Sequence, residues 1–315
     1  MDRRQILAGM GALASAPAFA QGIVPDDVPR WSSAVIDMHY HTRAALGQNI
    51  AHQKGAGITA ASLLTQYDLI GTAAELRAQN PAMFPSWFVS DDITKPEAQA
   101  RLTAAVKSGA KGLGEIKFQV EADGPEMRRV YALAADLGVP VLIHFQESIP
   151  PGGASFNTGV KRFAAMLKAF PKTKFIGHAN AFWANVSADF AEQAQYPTGP
   201  IVPGGITDKL LSDYPNLYGD LSANSANNAL SRDAAFTADF LKRHQDKLHF
   251  GSDCSCLDGR GTTAGRGGAN ANLPERTRGK CLARENLRLL AASTTPEIFR
   301  KLVWTNAHRL IGLPA

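Results

Sequence analysis

The chain has 315 residues, 45% of them apolar and 19% charged, which is ordinary globular composition at a length that suits one large domain. Disordered, collagen-like, coiled-coil and disulfide-miniprotein classes are excluded at once. The net charge of +5 is a mild excess that gives no argument for nucleic-acid binding, and the body holds no apolar run of about 18 residues that could cross a bilayer.

In chain order, the N-terminus comes first. Asp2-Arg3-Arg4-Gln5-Ile6-Leu7 opens the chain, a small-residue apolar stretch follows, and Ala18-Phe19-Ala20 closes it. This is a charged region, an apolar region and an A-x-A cleavage site. The arginine pair resembles a twin-arginine export signal. Residues 1–20 are therefore expected to be a cleaved signal peptide, with the mature protein periplasmic or secreted and no longer inserted in a membrane. Residues 21–34, rich in Pro and charge, read as a linker.

From residue 35 the chain alternates short β-branched runs with longer helical periods. Strands are predicted at 35–39, 60–64, 84–89, 112–118, 139–145, 174–178, 216–221 and 248–253. Helices are predicted at 68–79, 96–108, 127–137, 160–170, 206–212, 233–244, 283–292 and 296–311. The face Met127, Val130, Tyr131, Ala134 and Leu137 has helical spacing, and Gly138 stops that helix. Eight β-then-α units predict an α/β fold, a single-domain (β/α)8 TIM barrel over 35–315, with a doubly wound sheet as the alternative.

Barrel chemistry sits at the C-terminal ends of the strands. Four of the eight histidines fall there: His39 and His41 on the first strand, His144 on the fifth and His178 on the sixth. Asp253 ends the eighth. His39 and His41 are two apart, so in a strand they share a face, as two imidazoles on one ion must. Imidazole and carboxylate donors suit zinc first, and manganese or iron as well. His52 reads as a loop residue, His244 and His308 as helix residues, and His249 as lying at the wrong end of the barrel.

These pieces, Asp37-x-His39-x-His41, Gly114-Glu115-Ile116-Lys117-Phe118, Leu142-Ile143-His144, Ile176-Gly177-His178, Phe250-Gly251-Ser252-Asp253 and Asn306-Ala307-His308-Arg309, resemble the amidohydrolase superfamily, in its amidohydrolase-2 branch. The resemblance implies a metal-dependent enzyme with His39, His41, His144 and Asp253 as ligands. His178 is implied as a further ligand or as the residue that polarises substrate and shuttles protons. Glu115 would bridge two ions or orient a histidine, so one or two divalent ions are expected. Lys117 is expected in the pocket or paired with Glu115. The implied chemistry is hydrolysis of a C–N or C–O bond (amide, lactone or ester) by metal-activated water, with Asp253 as general base and then acid. The alternative is non-oxidative decarboxylation of an aromatic or unsaturated acid, which the same branch contains. A TatD-type nuclease shares the ligands, but the chain has no basic stripe.

The segment 257–280 holds six glycines and five basic residues against Asp258 and Glu275. Long loops of this kind are usually functional. It is expected to be a lid, with Arg260 and Arg266 meeting an anionic small-molecule substrate. Phe182, Trp183 and Tyr196 are expected either to wall the pocket or to pack over the rim. Cys254, Cys256 and Cys281 read as structural, with one of the first two paired to Cys281 or, alternatively, lending a ligand to the metal. A homo-oligomer is compatible with the sequence.

Overall fold

The computed structural model describes residues 27–147, 154–190, 196–261 and 276–313. The expected signal peptide, residues 148–153 of the loop after the fifth strand, and Arg266 lie outside the described residues. The elements run β1 (Ile36–His41), α1 (Leu46–Ala56), β2 (Ala60–Gln66), α2 (Ile70–Gln79), β3 (Ser86–Ser90), α3 (Ala98–Lys107), β4 (Gly112–Ile116), α4 (Pro125–Leu137), β5 (Val141–His144), α5 (Ala164–Ala169), β6 (Phe175–His178), α6 (Ala179–Ala184), α7 (Ile206–Asp213), β7 (Leu217–Asp220), α8 (Ala223–Ser231), α9 (Ala234–Arg243), β8 (Leu248–His249), α10 (Leu282–Ser293), α11 (Pro296–Arg300) and α12 (Asn306–Ile311).

The eight strands are parallel and ordered β1 to β8. The Met38 N–H donates to the Phe250 carbonyl at 3.0 Å and the Asp253 N–H to the His39 carbonyl at 2.8 Å, which brings the last strand back onto the first. The result is a nearly closed (β/α)8 barrel, as the alternation predicted.

Two apolar layers hold it together. Ile36, Met38, Leu64, Phe88, Leu142 and Ile176 fill the inside, closed by Ala307, Leu310 and Ile311 of α12. Outside the strands, Val35, Leu63, Val89, Leu113, Val141, Ile143 and Phe175 pack against the helices. Each such side chain contributes about 1.5–3 kcal/mol of burial.

The alternation slips at two places that matter. In β1, Ile36 and Met38 face in, yet Tyr40 faces out. The register shifts between Asp37 and Tyr40. In β4, Leu113 and Ile116 both face out although three residues apart, and the register shifts between them. Such bulges re-aim side chains. Here they turn His39 and His41, and then Glu115, to the inside.

Four helical stretches depart from the sequence-based expectation. The stretch carrying His52 is not a loop but helix α1. Its buried face is Asn49, His52, Gln53, Gly55 and Ala56, which has no apolar period to read. Helices α6 and α8 begin right after their strands, so the strand signal runs into them. The expected terminal helix is interrupted by a π turn at Lys301–Thr305.

Candidate metal centre

His39 is wholly buried, and its Nδ1 lies 2.5 Å from Oδ2 of Asp220, at the end of β7. A carboxylate only accepts, so Nδ1 carries the proton and Nε2 keeps its lone pair. Ser222 donates its hydroxyl proton to the same Asp220 oxygen at 2.8 Å. Its Oγ is then free to accept from Nδ1 of His178, also at 2.8 Å. That leaves Nε2 of His178 as a buried lone pair with no hydrogen-bond partner among the described residues. One buried carboxylate and one hydroxyl thus set two imidazoles in the tautomer that a ligand needs.

The two lone pairs point into one small volume. Nε2 of His39 is 3.3 Å from Nε2 of His41, 4.0 Å from Oε2 of Glu115 and 3.8 Å from Oδ1 of Asp253. His41 Nε2 is 3.3 Å from Glu115 and 3.5 Å from Asp253. His178 Nε2 is 3.4 Å from Oε1 of Glu115 and 3.8 Å from Oδ2 of Asp253. Two donor triads result: His39, Glu115 and His178, and His39, His41 and Asp253. His41 and Asp253 are 41% and 31% exposed, so the site is deep at His39 and His178 and open at the other two.

Charge makes the same case. Asp220, Glu115 and Asp253 crowd three imidazoles at the barrel end, and the two carboxylates that are buried, Asp220 and Glu115, demand a cation. Burial opposes a charged His39, but the Asp220 carboxylate, with Asp253 and Glu115, outweighs it and pushes the imidazole up to about 10, so the pocket favours a positive charge at Nε2 that a bound cation would supply in place of a second proton. Burial and the neighbouring His39 hold His178 down. Burial opposes a charged Glu115 as well, but His144 above all holds its carboxyl well below the usual range. The donor set and the unpartnered His178 nitrogen fit a divalent ion.

Five of the expected ligands, His39, His41, Glu115, His178 and Asp253, therefore come together. His144 stands one step back. Its Nδ1 is hydrogen-bonded to Glu115 Oε1, and its Nε2 faces Oε1 of Gln146 at 2.9 Å. Gln146 donates its amide to Ala154, which fixes that orientation. Both His144 nitrogens are turned to these side chains rather than to the other imidazoles.

Lys117 is exposed at the rim, its ammonium 5.2 Å from the centre of the Phe156 ring. Phe156 in turn packs edge-on against His144. Arg260 is engaged by Asp27, at 2.5 and 3.4 Å. Phe182 and Trp183 are core residues with no exposed surface, so they do not wall a pocket. Tyr196 is partly buried, within electrostatic range of Asp253. Burial and the Asp253 carboxylate push its phenol up to about 12, with Arg276 opposing. Arg276 is half-buried, donates to Asn227 and Asn228, and leaves Nη2 without a hydrogen-bond partner among the described residues.

Sequence reasoning missed Asp220 and Ser222. A signal existed, since Gly219-Asp220 puts a charge at the end of an apolar strand. Asp37, by contrast, is a brace. Its Oδ1 accepts from the backbone of His39 and Ser252 at 3.1 and 2.8 Å, tying β1 to the β8 exit, and burial pushes its carboxyl up to about 6. Gly251 lies in the same knot. A Cβ there would come within 2.4 Å of Asp220 Oδ1 and 2.6 Å of His39 Cβ, so only glycine lets β8 pass.

A family model described as amidohydrolase matches residues 34–313. No curated protein sequence matches the chain. Among solved structures, a Pseudomonas putida protein provisionally assigned as a 2-pyrone-4,6-dicarboxylic acid hydrolase superposes with a TM-score of 0.55 at 13% identity, over 89% of this chain and 97% of that one. An Acinetobacter baumannii protein with the same provisional assignment, solved with citric acid bound, gives 0.55 at 12% identity over 89% and 100%. The 2,6-dihydroxybenzoate decarboxylase from Rhizobium gives 0.50 at 13% over 89% and 99%. At these identities the likeness is one of fold.

Proposed function

The chain belongs to the amidohydrolase family, and from that premise we propose that this enzyme hydrolyses a C–O or C–N bond of a small anionic substrate with one divalent ion, zinc first among candidates. The observation that carries this reading is the convergence of three imidazole nitrogens and two carboxylates at the mouth of the barrel.

The number of ions follows from His39. Both donor triads use its Nε2, because Asp220 takes Nδ1. One lone pair serves one ion, so the triads describe a single position. A divalent ion held by these residues supplies acidified water and polarises a carbonyl or carboxylate. Asp253, half-open at the mouth, takes the proton from attacking water and returns it to the leaving group. His178, its Nδ1 proton anchored on Ser222, keeps its Nε2 aimed at the reacting centre. His144 steadies Glu115. Arg276, with its spare guanidinium nitrogen, and Tyr196 face the substrate's anionic end, with Lys117 and Arg260 farther out on the rim.

Decarboxylation of an aromatic or unsaturated acid is the second reading. A single ion suits it, and one structural neighbour is a decarboxylase. The test is a paired screen of the purified enzyme. Lactones and esters of di- and tricarboxylic acids are followed by proton release, their amides by amine release, and hydroxybenzoic and unsaturated acids by carbon dioxide release. Proton or amine release that disappears in His39→Ala supports hydrolysis. Carbon dioxide release that disappears there selects the lyase. Silence on both panels with a full metal load would remove both readings. Arg276→Gln should raise KM for the acid substrate about tenfold or more, the worth of a charged hydrogen bond, and leave KM for its neutral amide unchanged.

We also place the mature protein outside the cytoplasm, on the strength of the twin-arginine-type leader. A fusion of residues 1–30 to a folded reporter should be exported, and Arg3→Lys/Arg4→Lys should retain it in the cytoplasm.

A further inference from the structure

A second donor cluster lies one residue from the first. Cys254 and Cys256 follow Asp253, Cys281 caps the start of α10, and His52 comes from α1. All four are buried, His52 completely. Their donor atoms lie within 4.8 Å of one another. Cys254 Sγ is 3.4 Å from Cys256 Sγ and 3.9 Å from Cys281 Sγ. No disulfide joins them; all three cysteines are free, which corrects the expectation of a bridge to Cys281.

These distances are informative. A disulfide holds its sulfurs at about 2.05 Å, far closer than here. A tetrahedral zinc with Zn–S near 2.3 Å sets its ligands about 3.8 Å apart, and the observed spacings bracket that value. A multi-iron cluster would spread its thiolates more widely. The histidine supplies an independent observation. Neither ring nitrogen of His52 has a hydrogen-bond partner among the described residues, and an unpaired buried polar group costs about 1–3 kcal/mol. The ring is fixed by stacking on Tyr40, centroids 5.0 Å apart.

The backbone is shaped to bring these four together. A Cβ on Gly55 would sit 1.8 Å from the Asp258 carbonyl, and one on Gly259 would sit 2.3 Å from the His52 carbonyl. Only glycines let the loop after β8 lie flat on α1. Three thiolates and an imidazole around a divalent ion carry one net negative charge. Arg43 supplies a neighbouring positive charge, donating to the Cys254 carbonyl at 2.8 Å and lying over Tyr40.

We propose that His52, Cys254, Cys256 and Cys281 bind a structural zinc ion, distinct from the ion at the barrel mouth, that clamps the loop carrying Asp253 to α1 and α10. Cys3His is a closed ligand set with no open position for chemistry. What the clamp secures is the peptide just before it. Asp253 has φ of +45°, a conformation that non-glycine residues hold only when neighbours over-determine it.

Cobalt separates the two sites without relying on activity. The His39→Ala/His41→Ala protein, refolded or exchanged with Co2+, should bind about one ion per chain and show intense thiolate-to-cobalt charge-transfer absorption in the near ultraviolet. Adding Cys281→Ser should remove that band. In native wild-type protein, three thiols should resist a thiol reagent until a chelator strips the zinc. The wild-type spectrum and thiol titration need no variant and guard against misfolding. Absence of the thiolate band in cobalt-loaded wild type, thiols that react at the same rate with and without zinc, or a Cys254–Cys281 disulfide found by mass spectrometry would each overturn the proposal. None of these outcomes depends on the ion at the barrel mouth.

Discussion

Two donor clusters adjoin at consecutive residues, Asp253 and Cys254, and they are built by opposite means. At the barrel mouth the donors are nitrogen and oxygen. They come from the ends of three strands and the loop after β8, and a layer of buried acceptors, Asp220 and Ser222, orients them. Two of them reach solvent. The cysteine cluster is sulfur-rich, fully buried and braced by backbone contact through Gly55 and Gly259. An open site needs side chains poised for exchange and therefore an orienting layer. A closed site needs only that its ligands cannot move apart. A third group, His244 with Asp208 and Arg243, shows what neither is. Its His244 Nε2 is 2.6 Å from Asp208 and both Arg243 arms bind the same carboxylate, so it is an ion pair with no donor to spare.

The sharpest contrast should come from His39→Ala. Turnover should fall to background while the cobalt–thiolate signal persists; loss of both would mean that the clusters are one unit. Next is Cys254→Ser/Cys281→Ser. Structural zinc contributes folding free energy directly, so a loss of several kcal/mol is expected. At about 2–4 °C per kcal/mol, thermal scanning should find the melting point lower by roughly 10 °C. An unchanged Tm would deny the cluster a structural role. Asp220→Asn should weaken the mouth ion about 10- to 100-fold, as loss of an orienting partner does. Titration against a competing chelator would measure it, and the cysteine site should hold its ion throughout.

The smallest effect belongs to the ion pair. Burial opposes ionisation of Asp208, but His244 and Arg243 hold its carboxyl down to about 2, against an ordinary 3.8. A depressed carboxyl stabilises the fold above its unfolded value, and that contribution disappears as pH falls from about 4 toward 2. Urea midpoints of wild type and Asp208→Asn should therefore differ at pH 5 and converge near pH 2. Parallel curves would place the stabilisation elsewhere.

Much of this was legible in the chain. Parallel strands bury both faces, so the barrel showed as apolar runs alternating with helical periods. Histidines and Asp253 at strand ends marked the mouth because a polar residue there interrupts an otherwise apolar pattern. Period-2 reading could not foresee the slips in β1 and β4 that turn His39 and Glu115 inward, since a bulge leaves no compositional trace. Asp220 is readable as a charge in a buried strand, though the histidines at neighbouring strand ends are the stronger signal. His52 was beyond reach. It sits on a helix whose buried face is polar or small, about 200 residues before its cysteine partners, and only the closed barrel brings them together.

Gly261 meets the start of α10 at close range. A Cβ at this position would stand 2.6 Å from the Cys281 backbone nitrogen, so the chain departs and returns at virtually one point. Loop-closure entropy rises only slowly with length, by about 0.6 kcal/mol per doubling. A stalk this narrow therefore suits the exchange of whole segments. Residues 262–275 are the natural place to graft a foreign segment, lengthening or shortening it while Arg276 and the strand ends stay where they are.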